Sequence, residues 1–404
     1  MRVTNGMIRS NTLNNLYKNI SAVNQSFAQM STGKKIQTVS DDPIIAGRAI
    51  KLKVNVLETQ QYQKNAKEAR SWMEITETSM DNMTEILKSI RTKCVQASTG
   101  TLENKDKEVL KADIAQLWQQ LQEEANVTYG GRYIYSGYKT DEPLMLNKDT
   151  TLNEECTLKA NMTVANNIAL NPNSVLKTGT TLAEGTKLSA TDATAMGFTV
   201  APGETEYTLS EDYTLGADHT LADKATLTSN SSIAKESILA AGTVVDSGNL
   251  NPKVYGQITG QEMRYEVGTS NTINVNTLGM DDTFNTLIGM MQDIITTVDK
   301  SLEEDSGVTS DDLHDLFNNK LGEIDEIMSD ISTKTSDLGS RMARLDYVDS
   351  RLTDNNADYK ELLSNTEDID VEETYVEFNS RYAAYTAALQ ATSKVIMNTL
   401  ADYL

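Results

Sequence analysis

The sequence predicts a multidomain α + β chain: long paired helices forming a coiled-coil shaft from both termini, small β-hairpins on that shaft, and an inserted β-rich domain read as a hexapeptide β-solenoid. Three observations predict it. Apolar residues recur at alternating steps of three and four near both ends, a step of six rules the middle, and 404 residues exceed what one compact core accommodates. Five Pro, five Phe and two Trp describe a polar chain with thin cores, suited to helices pairing along narrow seams. A net charge of −22 argues against a nucleic-acid binder, whose affinity comes largely from basic contacts to phosphate. No run of eighteen apolar residues occurs, so a membrane span is not expected, and Met1 to Gly6 lacks the apolar block of a cleaved secretory signal. The two His and two Cys show no metal-ligand spacing. No catalytic, cofactor-binding or metal-binding residue is therefore assigned.

Taking the elements in order, Leu13, Leu16, Ile20, Val23, Phe27 and Met30 lie along one narrow helical stripe. That helix is expected to stop at Gly33. Another begins after Ser40-Asp41-Asp42, where Asp42 can accept from free amides and Pro43 fits the first helical position. Its stripe is Met73, Met80, Met83, Leu87, Ile90, Cys94 and Ala97, which makes Cys94 a core residue rather than a nucleophile. After Gly100 a third helix carries Leu110, Ile114, Leu117 and Leu121. Glycines at 130, 131 and 137 bracket the aromatic run 132–136, a short strand or hairpin.

From 140 to 250 the period changes. Leu146, Leu152, Leu158, Val164, Leu170, Leu176, Leu182 and Leu188 are spaced by six, and after a break at Gly197 to Gly203 so are Leu209, Leu215, Leu221, Leu227, Ile233, Leu239 and Val245. Six steps turn a helix by about 240°, whereas an even step keeps side chains on one face of a strand. Small residues four positions on, as in Leu227 with Ser231, suggest the parallel hexapeptide rhythm projecting outward from the shaft. The alternative is a string of antiparallel hairpins.

A second hairpin is expected over 263–275, then a helix carrying Phe284, Leu287, Met291, Ile294 and Val298. Between 321 and 366, Leu321, Ile324, Met328, Ile331, Leu338, Met342, Leu345, Leu352, Tyr359 and Leu363 occupy heptad positions of a long helix. Asp370 caps a last one, whose stripe is Val371, Tyr375, Phe378, Tyr382, Tyr385, Leu389, Ile396 and Tyr403. A lone helix cannot bury such a stripe, so the two ends are expected to pair, or to meet copies of themselves. Charge agrees: residues 1–60 hold eight basic and three acidic side chains, and residues 299–380 seven and twenty-three. Lys34, Lys35, Arg48, Lys51 and Lys53 are candidates to meet acidic neighbours.

The segment Met30-Ser31-Thr32-Gly33-Lys34-Lys35-Ile36, followed by Ser40-Asp41-Asp42-Pro43 and Ala46, resembles the N-terminal signature of the flagellin family, with Met30 where Leu is usual. The stretches 131–141, 255–276 and 385–394 resemble the hook-associated branch of that family more than its filament subunits. The resemblance implies a non-enzymatic structural subunit of the bacterial flagellum at the hook–filament junction. It implies an unfolded passage through the flagellar type III apparatus, so that the chain is transiently cytoplasmic before becoming extracellular. Implied partners are copies of itself in a ring, the neighbouring junction protein, filament-side subunits and a cytoplasmic export chaperone, with no nucleic acid, membrane or cofactor. The implied division is 1–43 and 366–404 as terminal assembly helices, 44–140 and 251–365 as the two halves of the shaft, and 141–250 as the insert. The assembly interface would be Leu13, Leu16, Ile20, Val23, Phe27, Met30, Tyr375, Phe378, Tyr382, Tyr385, Leu389 and Ile396.

Competing functions weigh less. A filament flagellin would share these termini. A hexapeptide acyltransferase would need His219, which no second titratable group accompanies at a suggestive spacing, and a surface-recognition protein would need an aromatic platform.

Overall fold

The computed structural model describes residues 5–99, 103–302 and 310–401, with the backbone alone for 5, 8, 99, 310 and 394–401. They divide into two compact units, residues 1–64 with 348–404 and residues 65–347. Seven helices are described: α1 (Asn5–Thr32), α2 (Pro43–Thr99), α3 (Asn104–Ala125), α4 (Ala190–Ala195), α5 (Met280–Lys300), α6 (Ser310–Glu367) and α7 (Val371–Ala401). Their ends follow the local chemistry. Gly33 takes φ +71° directly after α1, a conformation open to glycine without penalty. Asp42 Oδ1 accepts from the amides of Ile44 and Ile45 at 2.9 and 3.0 Å, and Asp370 Oδ1 from those of Glu372 and Glu373 at 2.9 and 3.2 Å. Gly100 and Tyr403 lie outside the described residues.

In the unit spanning 65–347, the stripe Met73, Met80, Met83, Leu87, Ile90, Cys94 and Ala97 is buried along its length. It shares the core with Ile114 and Leu121 of α3, Phe284, Leu287, Met291 and Ile294 of α5, and Phe317, Ile324 and Ile331 of α6. Ion pairs mark the helix neighbours: Arg91 grips Asp325 through Nε and Nη2 at 2.7 and 3.2 Å, Lys93 meets Asp113, Lys111 meets Asp299, and the buried Lys320 meets Asp293. Such pairs set register, while apolar burial supplies most of the stability. Strands β1 (Thr128–Tyr129) and β2 (Arg132–Tyr133) form the first hairpin around Gly130 and Gly131, both at positive φ. Tyr129 packs edge-on against Trp72, with ring centroids 5.8 Å apart.

The six-residue rhythm has a different outcome from the one expected. The outgoing tract supplies Thr150–Thr151, Cys156–Thr157, Met162–Thr163, Ile168–Leu170, Val175–Leu176, Thr181–Leu182 and Lys187–Ser189 as β3 to β9. The return tract supplies Glu206–Thr208, Tyr213–Thr214, His219–Thr220, Ala225–Leu227, Ser232–Ile233, Ile238–Leu239 and Val244–Val245 as β10 to β16. Strand orders are β10-β9-β13-β6-β16-β3, β11-β8-β14-β5 and β12-β7-β15-β4, so on each sheet strands of the two tracts alternate. Every described pair is antiparallel.

The hexapeptide β-solenoid is thus not what forms: coils of one tract do not stack in parallel on each other, and the sheets stay open. An even spacing dictates which side chains face inward but carries no information about strand direction. The turn through α4 brings the return tract back between the outgoing strands. The spaced Leu, Ile and Val residues are buried all the same. The small residues four positions on are corner fasteners between tracts. Ser231 Oγ accepts from Ala183 N, Ser237 Oγ from Lys177 N and Ser174 Oγ from Ala240 N, each at 3.0 Å. Ser237 is fully buried, so Ser237→Ala is expected to leave the Lys177 amide unpaired and to cost about 1 to 3 kcal/mol, read as a lower denaturation midpoint; an unchanged midpoint would show the fastener to be idle.

Nor does the insert simply project outward. Asn285 Oδ1 accepts from Thr163 N at 2.9 Å, Gln292 Nε2 donates to Ala165 O at 2.7 Å, and Asn230 Nδ2 donates to Thr296 Oγ1 at 3.1 Å. The insert therefore lies along α5. Beyond it, β17 (Arg264–Gly268) and β18 (Asn271–Asn274) form the second hairpin, with Arg341 of α6 donating to Asn274 O and Asn276 O at 3.1 and 2.9 Å.

Candidate assembly interface

In the unit formed by 1–64 and 348–404, α1 and α7 lie side by side. Leu13, Leu16, Ile20, Val23 and Met30 are half-buried on α1, as are Phe378 and Tyr385 on α7. Phe27 meets Phe378 with ring centroids 6.3 Å apart, and Phe378 stacks on Tyr382 at 6.0 Å. The pair leaves much of its apolar surface uncovered: Tyr17 is 67% exposed, Phe27 60%, Tyr375 54%, Val376 68%, and Tyr382 and Leu389 are also exposed. Ile396 belongs to α7, but its side chain lies outside the described residues. Along the first turns of α2, Ile44, Ile50, Val54 and Leu57 are likewise exposed. Apolar stripes in this state are candidate interaction surfaces.

The middle of the α1–α7 seam is polar. Arg381 donates through Nη1 to Ala22 O at 3.1 Å and to Ser26 Oγ at 2.9 Å, and pairs with Glu377. Ser26 is fully buried. Neither residue stands out in the sequence, since both fall beside the apolar stripe; only the small size of Ser26 next to Phe27 hints at a close approach.

A second feature joins the two breaks in the helices. Lys35 N donates to Glu367 O at 2.7 Å and Ile369 N to Gly33 O at 3.0 Å, an antiparallel bridge between Lys34 and Asp368. Lys34 Nζ and Lys53 Nζ both reach Glu367 Oε1, at 2.6 and 2.8 Å. Burial alone would raise the Glu367 pKa, but the two ammonium groups outweigh it and hold the carboxyl below its ordinary value. Lys35 Nζ donates to Asn365 O at 3.1 Å, while Arg48 and Lys51 are exposed. Charge pairing between the ends is therefore found within the chain, and Glu367 is its acidic member.

Chemistry is sparse elsewhere. Among the described residues no group of three or more His, Cys, Asp or Glu side chains could hold a metal ion, and no helix is long and apolar enough to cross a membrane. Cys94 is buried with its thiol pushed up to about 12 by desolvation, a poor nucleophile. His219 is not alone: its Nε2 lies 3.0 Å from Oδ1 of the buried Asp192, which also accepts from Ala222 N, Asp223 N and the Ser189 hydroxyl. The acid comes from the short helix after the outgoing tract, a juxtaposition that only the folded return tract creates.

Helices from the two chain ends paired side by side, with the described strands falling between them in sequence, define a helical structural subunit with a β-rich insert. The bacterial flagellin N-terminal helical region matches residues 3–140 and the bacterial flagellin C-terminal helical region matches residues 321–404, together more than half of the chain. The chain belongs to the flagellin family. It is 40% identical over 114 residues to flagellar hook-associated protein 3 of Escherichia coli K12, a match covering 28% of this chain and 36% of that protein. To a flagellin of Escherichia coli O127:H6 it is 34% identical over 105 residues, covering 26% of this chain and 19% of the flagellin. The match thus spans about a third of the hook-associated relative. Among solved structures, flagellar hook-associated protein 3 of Legionella pneumophila aligns with a TM-score of 0.39 at 16% identity, over 78% of this chain and 96% of that one.

Proposed function

We propose that the chain is a structural, non-enzymatic subunit joining the flagellar hook to the filament, polymerising as a ring of its own copies through α1 and α7. The observation that carries this is the uncovered apolar surface on a pair of helices that match the family's two terminal regions. The greater identity to hook-associated protein 3 than to flagellin favours the junction over the filament itself. On this reading Leu13, Leu16, Ile20, Val23, Phe27, Met30, Tyr375, Phe378, Tyr382, Tyr385, Leu389 and Ile396 form the assembly interface. A junction protein and filament-side subunits are its neighbours, an export chaperone holds it in the cytoplasm, and it works outside the cell. Deleting the gene alone is expected to leave hooks without filaments and flagellin free in the medium. Hooks bearing normal filaments would reject the junction role.

A further inference from the structure

We propose that Glu367 is a charge latch that locks the two coincident helix breaks, 33–42 and 368–370, and thereby fixes the direction in which the α1–α7 pair leaves α2 and α6. The inference concerns the chain by itself and does not depend on its assembly role.

The geometry is that of a node. Glu367 is the last residue of α6, Lys34 lies in the break after α1, and Lys53 is on α2, so one carboxylate oxygen draws three separate segments together. The side chain is only 7% exposed, whereas both lysines are about half exposed, 42% and 48%. The other oxygen, Oε2, is buried with no hydrogen-bond partner among the described residues. The lock therefore depends on Oε1 alone, and a buried carboxylate with one unpaired oxygen stabilises its closed state only slightly. That is the condition for a two-position element.

The backbone bridge alone is a weak hinge pin. It consists of Lys35 N to Glu367 O and Ile369 N to Gly33 O, next to a glycine at positive φ on one side and a capping Asp370 on the other. Both flanks are separately finished: Asp42 closes the start of α2 and Asp370 that of α7, so the breaks can change angle without unwinding either helix. The charged groups that act on the Glu367 carboxyl are Lys34 and Lys53. Lys35 is directed to the Asn365 carbonyl, and Asp368 is engaged by the Ser364 hydroxyl. The carboxyl is held below its ordinary value, so the latch is closed at neutral pH and opens as pH falls through that lowered value.

The test is hydrogen–deuterium exchange on the full chain carrying Glu367→Gln, which keeps the shape and removes the charge. The Lys35 and Ile369 amides are expected to exchange at least about tenfold faster, with helix content and the amides of α3 and α5 unchanged. Lowering the pH of the wild-type chain should reproduce the same local change, and the variant should lack that pH response. Wild-type exchange at both amides in the variant would overturn the latch. So would faster exchange along the whole of α1 and α7, because Glu367 would then be supporting the helices rather than their direction. Lys53→Met, which leaves Glu367 itself in place, gives the second reading: an unchanged rate at Lys35 and Ile369 there also defeats the proposal.

Discussion

Replacing Leu16 and Ile20 by Ala together is expected to abolish incorporation of the subunit into hook tips while residues 65–347 remain folded. Truncating a buried Leu or Ile typically costs about 2 to 5 kcal/mol. In the lone chain both side chains are only half-buried against α7, so the loss there falls toward the lower end. If neighbouring copies cover what the single chain leaves exposed, the same atoms are removed from a fully buried seam, and the loss recurs at every subunit of a ring. The remaining unit has its own core around Trp72, Phe284 and Phe317, each fully buried, and should keep its cooperative unfolding. The measurement is incorporation of purified double mutant onto hooks from a strain lacking the gene, beside calorimetry of the free protein. Normal incorporation would remove these residues from the interface. A single, much-lowered transition would mean that the terminal seam supports the whole chain.

The helices were legible in the sequence because their causes are local. A heptad stripe, an Asp before Pro43, a Gly after Thr32 and an Asp before Val371 each act within one or two turns, and α1 ends, and α2 and α7 begin, where those residues stand. Inward-facing positions in the insert were legible for the same reason, since alternation is a property of each strand alone. What the spacing could not carry was pairing. The choice between parallel stacking of one tract and antiparallel interleaving of two is made by residues far apart, such as Ser237 with Lys177 or Thr180 with Ala234. The terminal interface shows the same division. Its apolar stripes follow from periodicity, whereas Arg381 with Ser26, and Glu367 with Lys34 and Lys53, become partners only when segments more than three hundred residues apart meet. His219 carried no signal of its acid partner because Asp192 lies on another element, twenty-seven residues away.

That same Asp192 carries the other large expected effect: Asp192→Asn should destabilise the insert by about 3 kcal/mol, near the cost of breaking a buried charged network. The carboxylate is buried to 1% exposure and meets donors on both oxygens, His219 and Ala222 N on Oδ1, Ser189 Oγ and Asp223 N on Oδ2. An asparagine fills the same space but must turn its NH₂ toward one side. Either way a donor then faces a backbone amide donor, and neither can turn away. The pH dependence follows from the same bonds. Burial would raise the Asp192 pKa, but the amides of Ala222 and Asp223, the Ser189 hydroxyl and His219 outweigh it and hold it below 3.8. A carboxyl depressed in the folded state contributes stability that is fully present above its unfolded value and disappears as pH falls through the folded one. In the wild-type chain the Ala222 and Asp223 amides should therefore stay protected at neutral pH and lose protection as pH falls through that lowered value, while the asparagine variant should be less protected throughout and nearly insensitive to acid. Equal protection of those two amides in both proteins at neutral pH would show that the tip of the insert is held by its leucines and not by this carboxylate.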